Sequence, residues 1–402
     1  MQAQRAPLSN GRWHFQHGPI DLVIGAEGDA DALAAAHAAA WQRFETVLTE
    51  LVAELPLLRR PIRGPCPLQG VIARRMWWAC HPFHSVFITP MAAVAGAVAQ
   101  ELIGAYAREG VRRAWINNGG DIALHLADGE SVNVGVVSDI SQHTPFGPPQ
   151  HAPRYRSPCA ARPFDTPSGV PCPEPVEGSG RTEAGPDTDE QDAPFGLRYR
   201  SPGAPRPFDT PSGVPCPEPV EGSGRTGADP DSDEQDAPFG LRYRSPGAPQ
   251  PSDTDASFTV DASMPVRGIA TSGWRGRSFS LGIADSVTVL AKTAAMADAA
   301  ATIIANAVDI DDPRIERCPA NDLKDDSDLG ELLVTVDVPT LPPAAVQAAL
   351  ERGRRRADDL RRDGLIHSAL LVCQQHAARV DPASGIRVDT DTAARQVGSV
   401  FA

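Results

Sequence analysis

The sequence predicts an α+β fold, with mixed or antiparallel sheets packed against helices. Two observations carry this. Strand-like and helix-like stretches follow one another in irregular order, without the βαβ alternation of a doubly wound sheet. Short alternating runs are also joined by turn residues, as at Asp128-Gly129, which is a hairpin signal.

Taken in order, residues 20–24 alternate and read as a strand ended by Gly25. Residues 29–55 are rich in Ala, Leu and Glu and read as one helix, stopped at Pro56. Residues 57–80 read as irregular, broken by Pro61, Pro65 and Pro67. A second helix is predicted over about 90–109, with Pro90 in its first turn, Thr89 as its cap and Gly110 at its end. The apolar residues 114–116 form a strand that enters the turn Asn117-Asn118-Gly119-Gly120-Asp121. Residues 122–126 and 132–137 make two further strands. After position 256, strands are predicted at 257–260, 286–290, 331–338 and 365–372. An alanine-rich helix precedes Val308, and a charged amphipathic helix spans 344–362 between Pro343 and Gly364.

Between these halves the composition breaks. Residues 154–197 recur as 198–241 with five of 44 positions changed, and a third copy fades by Pro249. Residues 151–256 hold 21 of the 39 prolines and a net charge of -8 out of -14. Such units lack an apolar stripe to bury against a neighbour, so they are expected to be a disordered insertion. The domain reading is therefore one domain in two parts, residues 1–150 and 257–402, with residues 151–256 between them. The flanks of the insertion should lie close together in space, because the loop they close interrupts one domain.

The acidic balance and the lack of a Lys/Arg block argue against a nucleic-acid partner. No run approaches the roughly 18 apolar residues of a membrane helix, and the first residues lack a basic segment followed by an apolar one. The seven cysteines include no CxxC pair and read as reduced thiols. Together these point to a cytoplasmic protein.

The stretch from 268 to 308 carries most of the chemistry. It opens with a small-residue turn containing Thr271, Ser272 and Gly273, passes Arg275 and Arg277, and ends in the helix bearing Asp298 and Thr302. Four residues apart, Asp298 and Thr302 share a helix face. A carboxylate and a hydroxyl there suit a hard cation; the plainer alternatives are a solvated face, or Thr302 bonding back to its own helix. Gly119 and Gly120 let backbone approach a phosphate, or form a bare loop. His81 and His84 are three apart, but Pro82 argues against a helix presenting both to one metal.

Five segments carry a resemblance: ITPMAAVAGAVAQ (88–100), INNGGDIAL (116–124), GIATSGWRGRSFSLGIADSVTVLA (268–291), ADAAAT (297–302) and DSDLG (326–330). Together they resemble an uncharacterised protein family of the ApbE-like superfamily, whose known members are FAD:protein FMN transferases. The resemblance implies an ApbE-like fold that binds FAD and Mg2+, and passes FMN to a hydroxyl of a protein acceptor. It further implies that Asp298, Thr302 and the backbone carbonyl of Val94 hold the metal. Gly119, Gly120, Asp121, Thr271, Ser272, Gly273 and Arg275 would then seat the flavin nucleotide. Where the transferases usually carry a lysine, this chain has Ala95, which keeps open a non-catalytic flavin carrier. A third reading is an interaction protein acting through the repeats.

Overall fold

A computed structural model describes residues 2–136 and 256–381. The tandem repeats, with the disorder expected of them, lie outside the described residues. In chain order the elements are β1 (Gln4–Pro7), β2 (Trp13–His17), β3 (Ile20–Gly28), α1 (Ala30–Ala53), α2 (Leu55–Leu58), α3 (Val71–Cys80), α4 (Val94–Ile103), β4 (Val111–Asn118), β5 (Asp121–Leu126) and β6 (Ser131–Val136). After the repeats come β7 (Ala256–Asp261), β8 (Gly268–Ser272), β9 (Ser286–Ala291), α5 (Ala294–Ala307), β10 (Glu316–Pro319), α6 (Ala320–Leu323), β11 (Leu333–Asp337), α7 (Pro343–Arg362), β12 (Ser368–Cys373) and β13 (His376–Val380).

The fold is α+β. Nine strands form one antiparallel sheet in the order β1-β2-β3-β4-β5-β8-β9-β12-β13, and the pairs β6–β7 and β10–β11 stand apart from it. The period-2 pleat sorts side chains between two cores. Ala123, Ala270, Val287 and Val289 face the helices, whereas Ile122, Leu124, Ile269 and Leu290 face a second core shared with Val134, Phe258 and Val260 of β6 and β7. Among the described residues no helix is long and apolar enough to cross a membrane.

The two ends of the insertion meet in one ladder. Val136 of β6 and Ala256 of β7 are cross-strand partners, as the sequence reading required. A hairpin needs only two to five residues to join such partners. Replacing residues 137–255 by a five-residue Gly/Ser loop should therefore leave the thermal transition of the remaining protein cooperative, within about 4 °C of the full chain. A lost or broadened transition in scanning calorimetry would contradict this.

Several expectations are corrected. Gly25 does not end its strand; it lies inside β3, where a Cβ would come within 2.2 Å of the Trp115 indole on the partner strand. The stretch 57–80 contains α3, whose buried Ile72, Ala73, Met76, Trp77 and Cys80 follow a helical spacing hidden in the sequence by the nearby prolines. The helix expected from 90 to 109 is the ten-residue α4, flanked by 3-10 turns at Pro90–Ala93 and Gly104–Tyr106. Thr89 does not cap it; its hydroxyl donates to Asp328 at 2.5 Å. Asp128-Gly129 joins no hairpin, because β5 pairs with β4 and β8 while β6 pairs with β7. The small-residue turn expected at 270–273 is mostly strand β8.

The small residues of that stretch have a packing reason. A Cβ on Gly268 would meet the backbone of Thr293 and Ala294 at 2.2 Å, and one on Gly96 would meet the Ala294 carbonyl oxygen at 2.3 Å. Backbone thus lies on backbone where β8 and α4 touch the start of α5. The alanines of α5 keep the neighbouring layers close, with nine of its fourteen residues buried. Thr293 caps it by accepting from the Met296 amide at 3.3 Å.

Candidate functional site

This close approach sets Asp298 against the start of α4. Its Oδ2 accepts from the Gly96 amide at 2.9 Å, and the Ala95 amide also donates to it. Ala93, at the cap position of α4, supplies no side-chain acceptor, so Asp298 serves that helix from another element. The β4–β5 turn is tied to the same place, since Asn118 Nδ2 donates to the Ala95 carbonyl at 3.0 Å.

The turn itself needs its glycines, with φ of 66° at Gly119 and 114° at Gly120. Asn117 Oδ1 accepts from the Gly120 amide at 2.8 Å and holds the turn closed. The next residue, Asp121, is buried at 8% exposure, and its Oδ1 accepts from the Thr271 amide on β8 at 3.2 Å.

Asp121 and Asp298 act on each other electrostatically. Burial pushes the Asp121 carboxyl well above the usual carboxylate range, the Asp298 charge adds to the rise, and the Thr271 amide opposes it. Burial likewise pushes Asp298 up, to about 7, against the pull of the Gly96 and Ala95 amides. Among the described residues neither carboxylate has an arginine or lysine within ion-pair distance. On α3, the thiol of buried Cys80 is raised first by burial and then by the Asp298 charge.

The remaining sequence-predicted residues divide. Thr302 is half-buried one turn beyond Asp298, and its hydroxyl has no hydrogen bond among the described residues, so it does not bond back to its helix. Val94 opens α4. Thr271 joins the site through its amide, since its hydroxyl pairs with the Thr288 hydroxyl at 2.9 Å. Ser272, half-buried, ends β8. Gly273 is packed against the chain, where a Cβ would lie 2.2 Å from the Asp285 carbonyl oxygen. Arg275 is exposed, stacked 4.9 Å from the Trp274 ring and 3.7 Å from Asp285, and it does not meet the carboxylates. Arg277 instead lies beside Gly119.

Other sequence candidates prove structural. His81 stacks between Trp77 and His84, at 4.6 and 5.2 Å between ring centres. Asp326 pairs with Arg59 at 2.8 Å, and Asp328 takes the Thr89 hydroxyl, so the acidic loop ties down the approach to α4. Among the described residues no three His, Cys, Asp or Glu side chains gather into a metal cluster. An open hollow lined by Arg108, Val111, His125 and Ala127 lies at the far end of the β4–β5 hairpin from the glycine turn, and holds none of the candidate residues.

Sequence reasoning paired Asp298 with Thr302 but missed its electrostatic pull on Asp121 and its bonds to α4. No spacing could have shown them, because Asp298 and Gly96 are 202 residues apart. No curated protein matches the chain. A family model described as AbpE bacteria matches residues 4–154 and 243–385, segments that take in every candidate residue and leave out 155–242, and the chain belongs to that family.

Proposed function

We propose that this protein binds a flavin nucleotide, FAD, together with Mg2+ at the site between α4, α5 and the β4–β5 turn, and passes FMN to a hydroxyl of a protein acceptor. The observation that carries this reading is a pair of desolvated carboxylates on adjoining elements, Asp298 bonded to the start of α4 and Asp121 to β8, the charge of Asp298 raising Asp121. Two desolvated carboxylates of like charge with no cationic side chain in ion-pair reach suit a divalent cation, which would offset their repulsion. The donor set fits: Asp298 and Asp121 offer hard oxygens, and the unengaged Thr302 hydroxyl offers a third. A bound Mg2+ would supply charge to a pyrophosphate as its P–O–P bridge is cleaved.

The chain's own groups do the rest. The α4 amides orient Asp298, and the Thr271 amide orients Asp121. The glycine turn lets a ligand come against backbone. The resemblance of the five motifs to the ApbE-like superfamily supports the same reading.

A carrier that binds FAD without cleaving it is the second reading, favoured by Ala95. At the start of α4, where the transferases usually place a lysine, this chain has a methyl group and no cation.

The test is incubation of the full chain with FAD and a mixture of soluble proteins that supplies acceptor Ser and Thr hydroxyls, with and without Mg2+, followed by chromatography for AMP, for protein-bound FMN and for retained FAD. AMP release that needs Mg2+ is the expected result. Intact FAD retained without AMP selects the carrier. Neither retention nor cleavage sinks the flavin reading altogether.

A further inference from the structure

The helix starts near the carboxylate pair are already engaged. The Gly96 and Ala95 amides of α4 donate to Asp298. At the start of α5, Ala295 N donates to Gln100 Oε1 at 3.2 Å and Met296 N to Thr293 Oγ1 at 3.3 Å. A phosphate arriving here would have to displace a partner to use these amides, although a free helix start is the usual place for one. Its charge must be met elsewhere.

The loop between β8 and β9 offers the cation. Its base is pinned, with Trp274 N donating to Ala284 O at 3.0 Å and Gly276 N to Gly273 O at 3.1 Å. Arg275 is engaged by Trp274 and Asp285. Asp285 in turn accepts from the Trp274 indole at 3.3 Å and from the Gln374 amide at 2.5 Å, so that latch is fixed at several points. Arg277, two residues on, is exposed and has no ion pair or hydrogen bond among the described residues. It reaches across to the glycine turn, where a Cβ on Gly119 would stand 3.2 Å from its Nη1 and 3.8 Å from its Cδ.

The geometry points to Arg277, rather than Arg275, as the side chain that receives the phosphate charge of a phosphoanhydride ligand at the Gly119–Gly120 turn. This rests on the reading of a cation-assisted nucleotide site given above. A planar guanidinium offers paired donors to phosphate oxygens, and the second glycine of the turn, Gly120, has nothing within 4 Å of its Cβ position and leaves room for them. With a cation held at the carboxylates, positive charge would meet the anhydride from both the metal and Arg277.

The test uses inorganic pyrophosphate with Mg2+, titrated calorimetrically into the full chain. Arg277→Ala should weaken binding about tenfold, Arg277→Lys by less, and Arg275→Ala by less than about threefold. Matching melting temperatures would show that the variants fold alike. Binding unchanged in Arg277→Ala, or a larger loss in Arg275→Ala, would overturn the assignment. Wild-type protein that binds FAD but ignores pyrophosphate would overturn it too, and would leave the flavin reading standing. Pyrophosphate bound through Arg277 with no uptake of FAD would do the reverse.

Discussion

Gly96→Ala should destabilise the protein by about 3 kcal/mol or more, the upper end of what overpacking costs. A Cβ at that position would stand 2.3 Å from the Ala294 carbonyl oxygen, and the obstacle is backbone rather than the end of a flexible side chain. Either α4 or α5 must move. Both are lined with buried alanines and cannot shift singly without opening voids. Gly268→Ala should act alike, since its Cβ would meet the start of α5 at 2.2 Å. The contrast is Gly104→Ala. That residue has φ -58° and ψ -27°, and nothing within 4 Å of its Cβ position, so alanine should stabilise by up to about 1 kcal/mol. Scanning calorimetry should place the first two variants roughly 6–12 °C below the parent and the third slightly above it. Gly96→Ala melting with the parent would contradict the packing described for the site.

The second large effect is a fall in the stability of the metal-free protein as pH rises from about 4 to about 7. The sign follows from linkage. Asp298 has a folded pKa of about 7, above its unfolded value near 3.8, so in that window the folded state binds more protons than the unfolded one. Stability therefore decreases as pH rises through the window and levels off above the folded pKa. Asp121 is raised as well and adds in the same direction. Asp298→Asn should flatten the slope while keeping an oxygen for the Gly96 amide. Denaturant melts across the pH range, in the presence of a chelator, provide the check. A slope that is unchanged in Asp298→Asn would show that the pair does not titrate as described.

How much of this was legible depends on where the information lies along the chain. The long periodic segments α1, α5 and α7 and the alternating strand β9 were readable, because apolar spacing is a local property. The meeting of Val136 and Ala256 was readable as well, since an insertion must leave and return at neighbouring points. Five strands, β1, β2, β8, β10 and β13, were missed: β1 is exposed throughout, β8 is built of small residues that read as a turn, and β2, β10 and β13 are only four or five residues long. At the site, Asp298 and the glycine turn stood out by residue type. Their geometry did not, because glycine-to-backbone contact leaves no side-chain signal. Arg275 and Arg277 look alike in sequence. The latch of Asp285, Trp274 and Gln374 that separates them exists only in the fold.

The proposed function requires a divalent cation at Asp298 and Asp121. The direct measurement is titration of Mn2+, as a probe for Mg2+, into chelator-treated full-length protein, followed by electron paramagnetic resonance. One ion per chain that Mg2+ displaces, with loss of that binding in Asp298→Asn at an unchanged fold, is the predicted result. Undiminished Mn2+ binding in that variant, or none in the parent protein, would contradict it.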